Sequence, residues 1–321
     1  MRLLPCLALI AAAALGGPAL AQTYPSKPVH LIVPAAPAGI IDIVARISAE
    51  HLGKTLGQQV VAENRAGAGG VVGGEIVAKA APDGHVLCLC QVGNVAILPW
   101  MVKNMSYDAL ADLVPVAPIV ETPELLAVNA KFPAQDIKAF IAYAKANPGK
   151  INYGTPGAGT PPHLGGILFE REAGVKLTHV PYRGAGPAVV ALAGGEIEAA
   201  IAGLGSFQAQ LKSGALRILV AAHRQRMKSL PDVPSGHEIG LPGFDATVWF
   251  GVLAPKGTPA EIVALLNRRV GEMIDDPAVQ KRFADAGLET MKMTPAQFGE
   301  RIKRDHAMWG TLVKASGVKM E

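Results

Sequence analysis

The chain has 321 residues, half of them hydrophobic and 17% charged, with a formal net charge of +4. That is enough apolar material for two domains or one large one. It contains no Lys/Arg block and no interleaving of basic with aromatic residues, which argues against nucleic acid as a partner.

"MRLLPCLALIAAAALGGPALAQ" opens with one cation, Arg2, followed by an apolar run from Leu3 to Leu15, a Gly-Gly-Pro break and an A-x-A site ending at Ala21. These are the parts of a secretory signal, so residues 1–21 are expected to be removed on export. A membrane anchor is the competing reading, but the run is short of the roughly 20 residues a span needs. Cys6 lies near the start of the apolar run instead of just after it, which disfavours lipid attachment. No second run of spanning length follows, and loss of Arg2 lowers the formal charge from +4 to +3.

From residue 29 strand and helix patterns alternate. "VHLIVPA" (29–35) reads as a strand, "DIVARISAEHLGKTLG" (42–57) as a helix stopped by Gly57, and "QQVVAEN" (58–64) as a strand. A helix over 73–84 ending in a turn and the strand "HVLCLCQV" (85–92) follow. A second series places helices over 134–146, 162–173, 186–194 and 206–213 between the strands "KINYG", "KLTHVPY", "IEAAIAG" and "LRILVAA". Such alternation predicts parallel sheets covered by helices, in two doubly wound α/β domains. Cys88 and Cys90 lie i, i+2 on one apolar strand, poorly placed to bridge, and are expected as two buried thiols rather than a metal site. In the C-terminal quarter "TPAE" (258–261) and "TPAQ" (294–297) share one form. Each offers Thr as N-cap, Pro at the first helical position, and Glu261 or Gln297 reaching back to the cap. Trp309 is expected in the core beside Ile302, Leu312 and Val313.

Little in the chain asks for catalysis. There is no G-x-S-x-G elbow and no H-E-x-x-H, and the eight histidines lack metal-ligand spacing. "GAGGVVG" (67–73) loosely matches a dinucleotide loop, but no ribose-binding acid is defined. Neither cofactor nor metal is expected. The informative stretch is "YGTPGAGTPPHLGG" (153–166), which reads as a strand, a glycine loop and a helix. That arrangement presents backbone N–H groups to an anion.

The blocks "YPSKPVHLIVPAAPAGIIDIVAR", "VVAENRAGAGG", "AAPDGHVL", "NPGKINYGTPGAGTPPHL", "HVPYRGAGPAVVALAGGEI", "LPDVPSGHEIGLPGF" and "WFGVLAPKGTP" occur in this order. From about Tyr24 onward the chain resembles the Bug (TctC-type) receptors, the extracytoplasmic solute-binding proteins of tripartite tricarboxylate transporters. The resemblance implies an α/β periplasmic-binding-protein fold of type II, with two domains joined by a hinge and a ligand cleft between them. Domain 1 would be residues 22–124 plus 223–321 and domain 2 residues 125–222, with hinges near 120–126 and 219–226. It further implies a monomeric, periplasmic, non-enzymatic receptor for a small carboxylate, with membrane permease subunits as partners. An orphan sensor for a two-component system and a periplasmic enzyme acting on a carboxylate are the alternatives.

Family receptors hold a carboxylate through loop backbone groups, hydroxyls and waters. Carried onto this chain, the first loop is "PAGIID", with Pro37, Ala38, Gly39, Ile40 and Ile41, and Asp42 expected as a helix N-cap rather than a ligand group. The second is "PGAGT", where Gly157, Ala158 and Gly159 let the backbone approach and Thr160 caps the helix and offers its hydroxyl. Gln91, Val92 and Gly93 form a third. The chain departs from the family at Ala35, Ile40-Ile41 and Ala202-Gly203, where Phe, Gly-Thr and Asp-Asn are usual. These positions are small or apolar here, and loss of an Asp removes a partner for an ammonium group. A carboxylate with a less polar or aromatic body is therefore expected, with a diacid held at its far end by waters or Gln91 as the second choice.

Overall fold

The computed structural model describes residues 24–318. The signal reading of residues 1–21, with its cleavage after Ala21, lies outside the described residues. Ten strands are β1 (Val29–Val33), β2 (Val60–Asn64), β3 (Val86–Gln91), β4 (Leu113–Asn129), β5 (Asn152–Thr155), β6 (Thr178–Pro181), β7 (Ala199–Gly203), β8 (Leu216–Ala221), β9 (Thr247–Pro255) and β10 (Glu289–Thr290). The helices are α1 (Ile40–Leu56), α2 (Val71–Ala78), α3 (Leu98–Met101), α4 (Ile137–Ala146), α5 (Pro161–Ala173), α6 (Ala185–Gly194), α7 (Leu204–Lys212), α8 (Ala260–Asp275), α9 (Pro277–Asp285) and α10 (Pro295–Ser316).

Pairing runs β2-β1-β3-β9-β4-β7-β5-β6, with β10 and β8 also on β4. The β1/β2, β1/β3, β5/β6 and β5/β7 pairs are parallel, as crossover helices require. β4 is the long element that joins the two halves. Its residues 113–123 pair with β9, and from Glu124 onward it lies between β7 and β8. Pro115 and Pro118 supply no ladder N–H, and the β4/β9 register slips just after each of them. Beyond the change of partner, Leu126 and Val128 enter the main core while Leu125 and Ala127 enter a second cluster with Leu192 and Phe207. That part of the sheet is therefore covered on both faces.

At the change of partner three chain passages are tied together. Glu124 N–H donates to Ala246 O (2.9 Å), Ala222 N–H to Glu124 O (2.8 Å), and Ala246 N–H to Ala222 O (2.9 Å).

Several local expectations need correction. α1 begins at Ile40 with Gly39 as N-cap, so Asp42 is not the cap. It sits inside the first turn and accepts from Ala38 N–H and Arg46 Nε. "TPAQ" forms its capping box, Thr294 with Gln297, but "TPAE" does not. Thr258 Oγ1 donates to Pro255 O instead, Pro259 takes the cap position, and no side chain caps α8. Cys88 and Cys90 are bonded to each other. Their Cα atoms are 5.3 Å apart, shorter than the ~6.6 Å of two extended-strand steps and inside the range a disulfide spans. Trp309 is buried with Ile302, Leu312 and Val313.

Candidate functional site

A cavity of about 370 Å³ opens where β4 changes partners. Ile40, Gln91, Val248 and Phe250 reach it from one half, and Thr160, Pro161, Pro162, Ala202 and Gly203 from the other. Residues 286–288 and the start of α7 close a third side, and β4 contributes Thr122 and Glu124. Among the described residues no Lys, Arg or His lines it.

Of the residues expected at the ligand, the cavity brings together Ile40, Gln91, Thr160, Ala202 and Gly203. The others lie near it or behind it. Pro37, Ala38 and Gly39 form the exposed loop leading into α1, while Ile41 and Val92 point into the core. Ala35 is half-buried, its carbonyl accepting from Asn64 Nδ2, and Gly93 begins a short π turn. Gly157, Ala158 and Gly159 flank the cavity wall without lining it.

The two loops differ in what they offer. In the first, Ala38 takes the left-handed region (φ 66°), rare without glycine, and Asp42 holds it there. The first-turn amides of Ile40 and Ile41 have no acceptor among the described residues. The second loop has spent half of its donors. Pro161 and Pro162 carry no N–H, Gly159 N–H donates to His163 Nδ1 (3.0 Å), and Gly157 N–H points at Thr155 Oγ1 (3.4 Å). Of the loop's own amides, those of Ala158 and Thr160 have no acceptor among the described residues. Thr160 occupies the N-cap position, but its hydroxyl donates to Gly157 O and does not cap α5.

His163 also stacks on His179, their ring centroids 3.8 Å apart, and His179 Nε2 lies 2.6 Å from Thr155 Oγ1. Burial, and secondarily the neighbouring imidazole, pushes His179 down to about 4, and burial lowers His163 as well. Both rings are neutral at pH 7, which leaves His163 Nδ1 free to accept the Gly159 amide.

Sequence reasoning missed the most unusual group. Glu124 is 3% exposed, and among the described residues neither its Oε2 nor the neighbouring Thr122 Oγ1 has a partner. Burial alone pushes the Glu124 carboxyl up to about 8. Glu124 pairs in register with Gly203, so an acid stands beside the two positions read as apolar. The signal was present in "ETPELLAV", an acid set directly before an apolar run.

Among the described residues no group of three or more His, Cys, Asp or Glu is arranged to hold a metal, and no helix is long and apolar enough to cross a membrane. The family model for the tripartite tricarboxylate transporter family receptor matches residues 44–318. The chain is 38% identical to the protein BugT of Bordetella pertussis, over 97% of this chain and 96% of that one. Among solved structures it resembles MatC of Rhodopseudomonas palustris with bound malate (33% identity, TM-score 0.74, 90% of this chain and 100% of that one). It also resembles a second protein of R. palustris, solved with adipate (31% identity, TM-score 0.78, 92% and 99%). The family model is that of a receptor, and a further similar structure is a TctC solute binding protein from Polaromonas, which points away from an enzyme. By the extent of the family match and the identity to BugT, this chain belongs to the tripartite tricarboxylate transporter receptors.

Proposed function

We propose that the protein is a periplasmic receptor that captures a small organic carboxylate and delivers it to the membrane permease of a tripartite transporter. The observation that carries this reading is the cavity at the partner change of β4, with unpaired amides beside it and no basic side chain in its wall. A carboxylate there is held by the amides of Ile40 and Ile41 from one side and of Ala158 and Thr160 from the other, aided by the field of the α1 and α5 N-termini. The ligand's hydrocarbon body lies against Ile40, Ala202, Val248, Phe250 and Leu288. The size of the cavity suits a small molecule.

In this proposal the domains are residues 22–124 plus 223–321 and residues 125–222. The bonded passages at Glu124, Ala222 and Ala246 are the hinge on which they close, a motion carried by a few element-terminal residues. Export through the signal at residues 1–21 and a monomeric state belong to the same proposal.

A thermal-shift screen against aliphatic and aromatic mono- and dicarboxylates tests it. A true ligand at 100 times its dissociation constant adds about 2.7 kcal/mol of stability. A panel that leaves the melting temperature unmoved, with no binding by calorimetry, overturns the receptor reading.

A further inference from the structure

We propose that Glu124 meets the ligand as a neutral acid, donating its carboxyl proton to an oxygen at the far end of the bound carboxylate, so that binding is coupled to protonation of this one side chain. The inference rests on the receptor reading above and specifies its ligand: an acid whose body ends in a second oxygen-bearing group, a second carboxylate being the strongest acceptor.

The geometry carries it. Glu124 is buried, lines the cavity, and has no partner on Oε2, while Thr122 Oγ1 two residues earlier is orphaned on the same wall. An unpaired buried polar atom is costly, and two that line one cavity are accounted for when a ligand supplies their partners. Among the described residues no cationic side chain lines the cavity, so an anionic oxygen is buried there against neutral donors. A protonated carboxyl and a hydroxyl are two such donors. The start of α7, where Gly203, Gly205 and Ser206 line the cavity, adds the positive end of a helix on the same side.

The surrounding charges leave Glu124 alone. Glu121 on β4, His163 and Glu170 on α5, Lys212 on α7, and His223 and Asp245 on the returning segment do not move its titration. Burial is the sole cause of its rise to about 8. The group is therefore mostly protonated at neutral pH. An ammonium group would instead require Glu124 to ionise, and would itself lie against the positive ends of the helices.

Two measurements test the proposal. The first needs no ligand. Infrared difference spectra between wild type and Glu124→Gln at pH 7 should contain the C=O stretch of a protonated carboxyl that fades as pH rises through about 8. In the second, adipate and 6-aminohexanoate are titrated calorimetrically at pH 6.5 and pH 9 into wild type, Glu124→Gln and Glu124→Leu. Adipate affinity should fall about tenfold from pH 6.5 to pH 9 in wild type, as expected for a group titrating near 8. It should change less than twofold in Glu124→Gln, whose amide donates at every pH, and be more than tenfold weaker in Glu124→Leu at pH 6.5. Adipate binding that is flat with pH, or a carboxyl already ionised at pH 7, overturns the proposal and leaves the receptor reading intact. So does 6-aminohexanoate binding more tightly than adipate, with affinity rising toward pH 9. Failure of the whole carboxylate panel overturns both.

Discussion

Glu121 and Glu124 lie three residues apart on one strand, yet they have opposite surroundings. Glu121 lies 3.7 Å from His223 Nε2 and 3.6 Å from Arg301 Nη1. Arg301 in turn bonds Asp305, which also accepts from Trp249 Nε1 at 2.9 Å. Each buried charge there has an opposite one within reach, and the group ties β4 and β9 to α10. Glu124 has none of this, although it is the more deeply buried of the two. The difference separates two uses of a buried acid. A partnered one fixes packing, and an unpartnered one that lines a cavity is held for something that arrives later.

The largest effect should come from breaking the partnered site. Arg301→Met keeps the aliphatic stem but leaves Asp305 with only the more exposed Arg304 and Glu121 with only His223, and removing one member of such a buried group costs about 3–5 kcal/mol. Urea unfolding should show that loss, whereas Glu124→Gln at pH 7 should unfold no more easily than wild type. A Glu124→Gln protein destabilised as much as Arg301→Met would mean that the comparison is misread and that Glu124 holds the fold.

Next comes the dependence of stability on pH. The folded protein binds the Glu124 proton more tightly than the unfolded chain, so stability is fullest below about 4.5 and declines as pH rises through about 8. Over that window the loss is several kcal/mol for a fully buried carboxyl, and Glu124→Gln should abolish it. The neutral pair His163 and His179 acts in the other direction. Their folded values are lowered, so the unfolded chain binds protons first, and stability falls as pH drops below 6.5 toward about 4. Acid should therefore release Gly159 from His163 and loosen the second loop. Unfolding midpoints measured from pH 4 to pH 9 should lose the acid limb in a His163→Gln/His179→Gln double variant and the alkaline limb in Glu124→Gln. If either variant keeps both limbs, the group it removes is not the source.

The alternating strand and helix pattern was legible because each α/β unit carries its own apolar run and stop signal, as at Gly57. β4 was harder. Pro115, Pro118 and Pro123 are atypical of a central strand, so residues 120–126 read only as an extended hinge segment, and the partner change at Glu124 was invisible. The capping boxes show the same limit. "TPAE" and "TPAQ" are alike in sequence, and tertiary context decides that Thr258 bonds Pro255 while Thr294 caps its helix. At the site, Ile40, Gln91, Ala202 and Gly203 were named through the family resemblance, and only Thr160 also stood on a strand–glycine loop–helix pattern legible in the sequence itself. Glu124 was not, because its significance is the absence of a partner, and sequence spacing cannot show an absence.

The smallest expected effect lies across the ladder from Glu124. Gly203 has an ordinary backbone conformation (φ −68°), so a side chain there costs no strain. A Cβ would lie 3.3 Å from Thr122 Oγ1 and 3.4 Å from its Cγ2, tight enough to press on the orphaned hydroxyl without expelling it. Gly203→Ala should therefore leave the melting temperature of the free protein within a degree or two of wild type. Its carbon occupies only the edge of the cavity, where Thr122 and Glu124 are proposed to meet the ligand. Binding of a carboxylate found in the screen should weaken by a few-fold, on the order of 0.5–1 kcal/mol. The same substitution should leave the pH dependence unchanged, since Glu124 keeps its surroundings. If the alanine abolishes binding, the ligand fills the space at Gly203 more closely than proposed. If binding is unaltered to within error, the ligand does not reach Thr122, and the far end of the cavity is not where specificity is set.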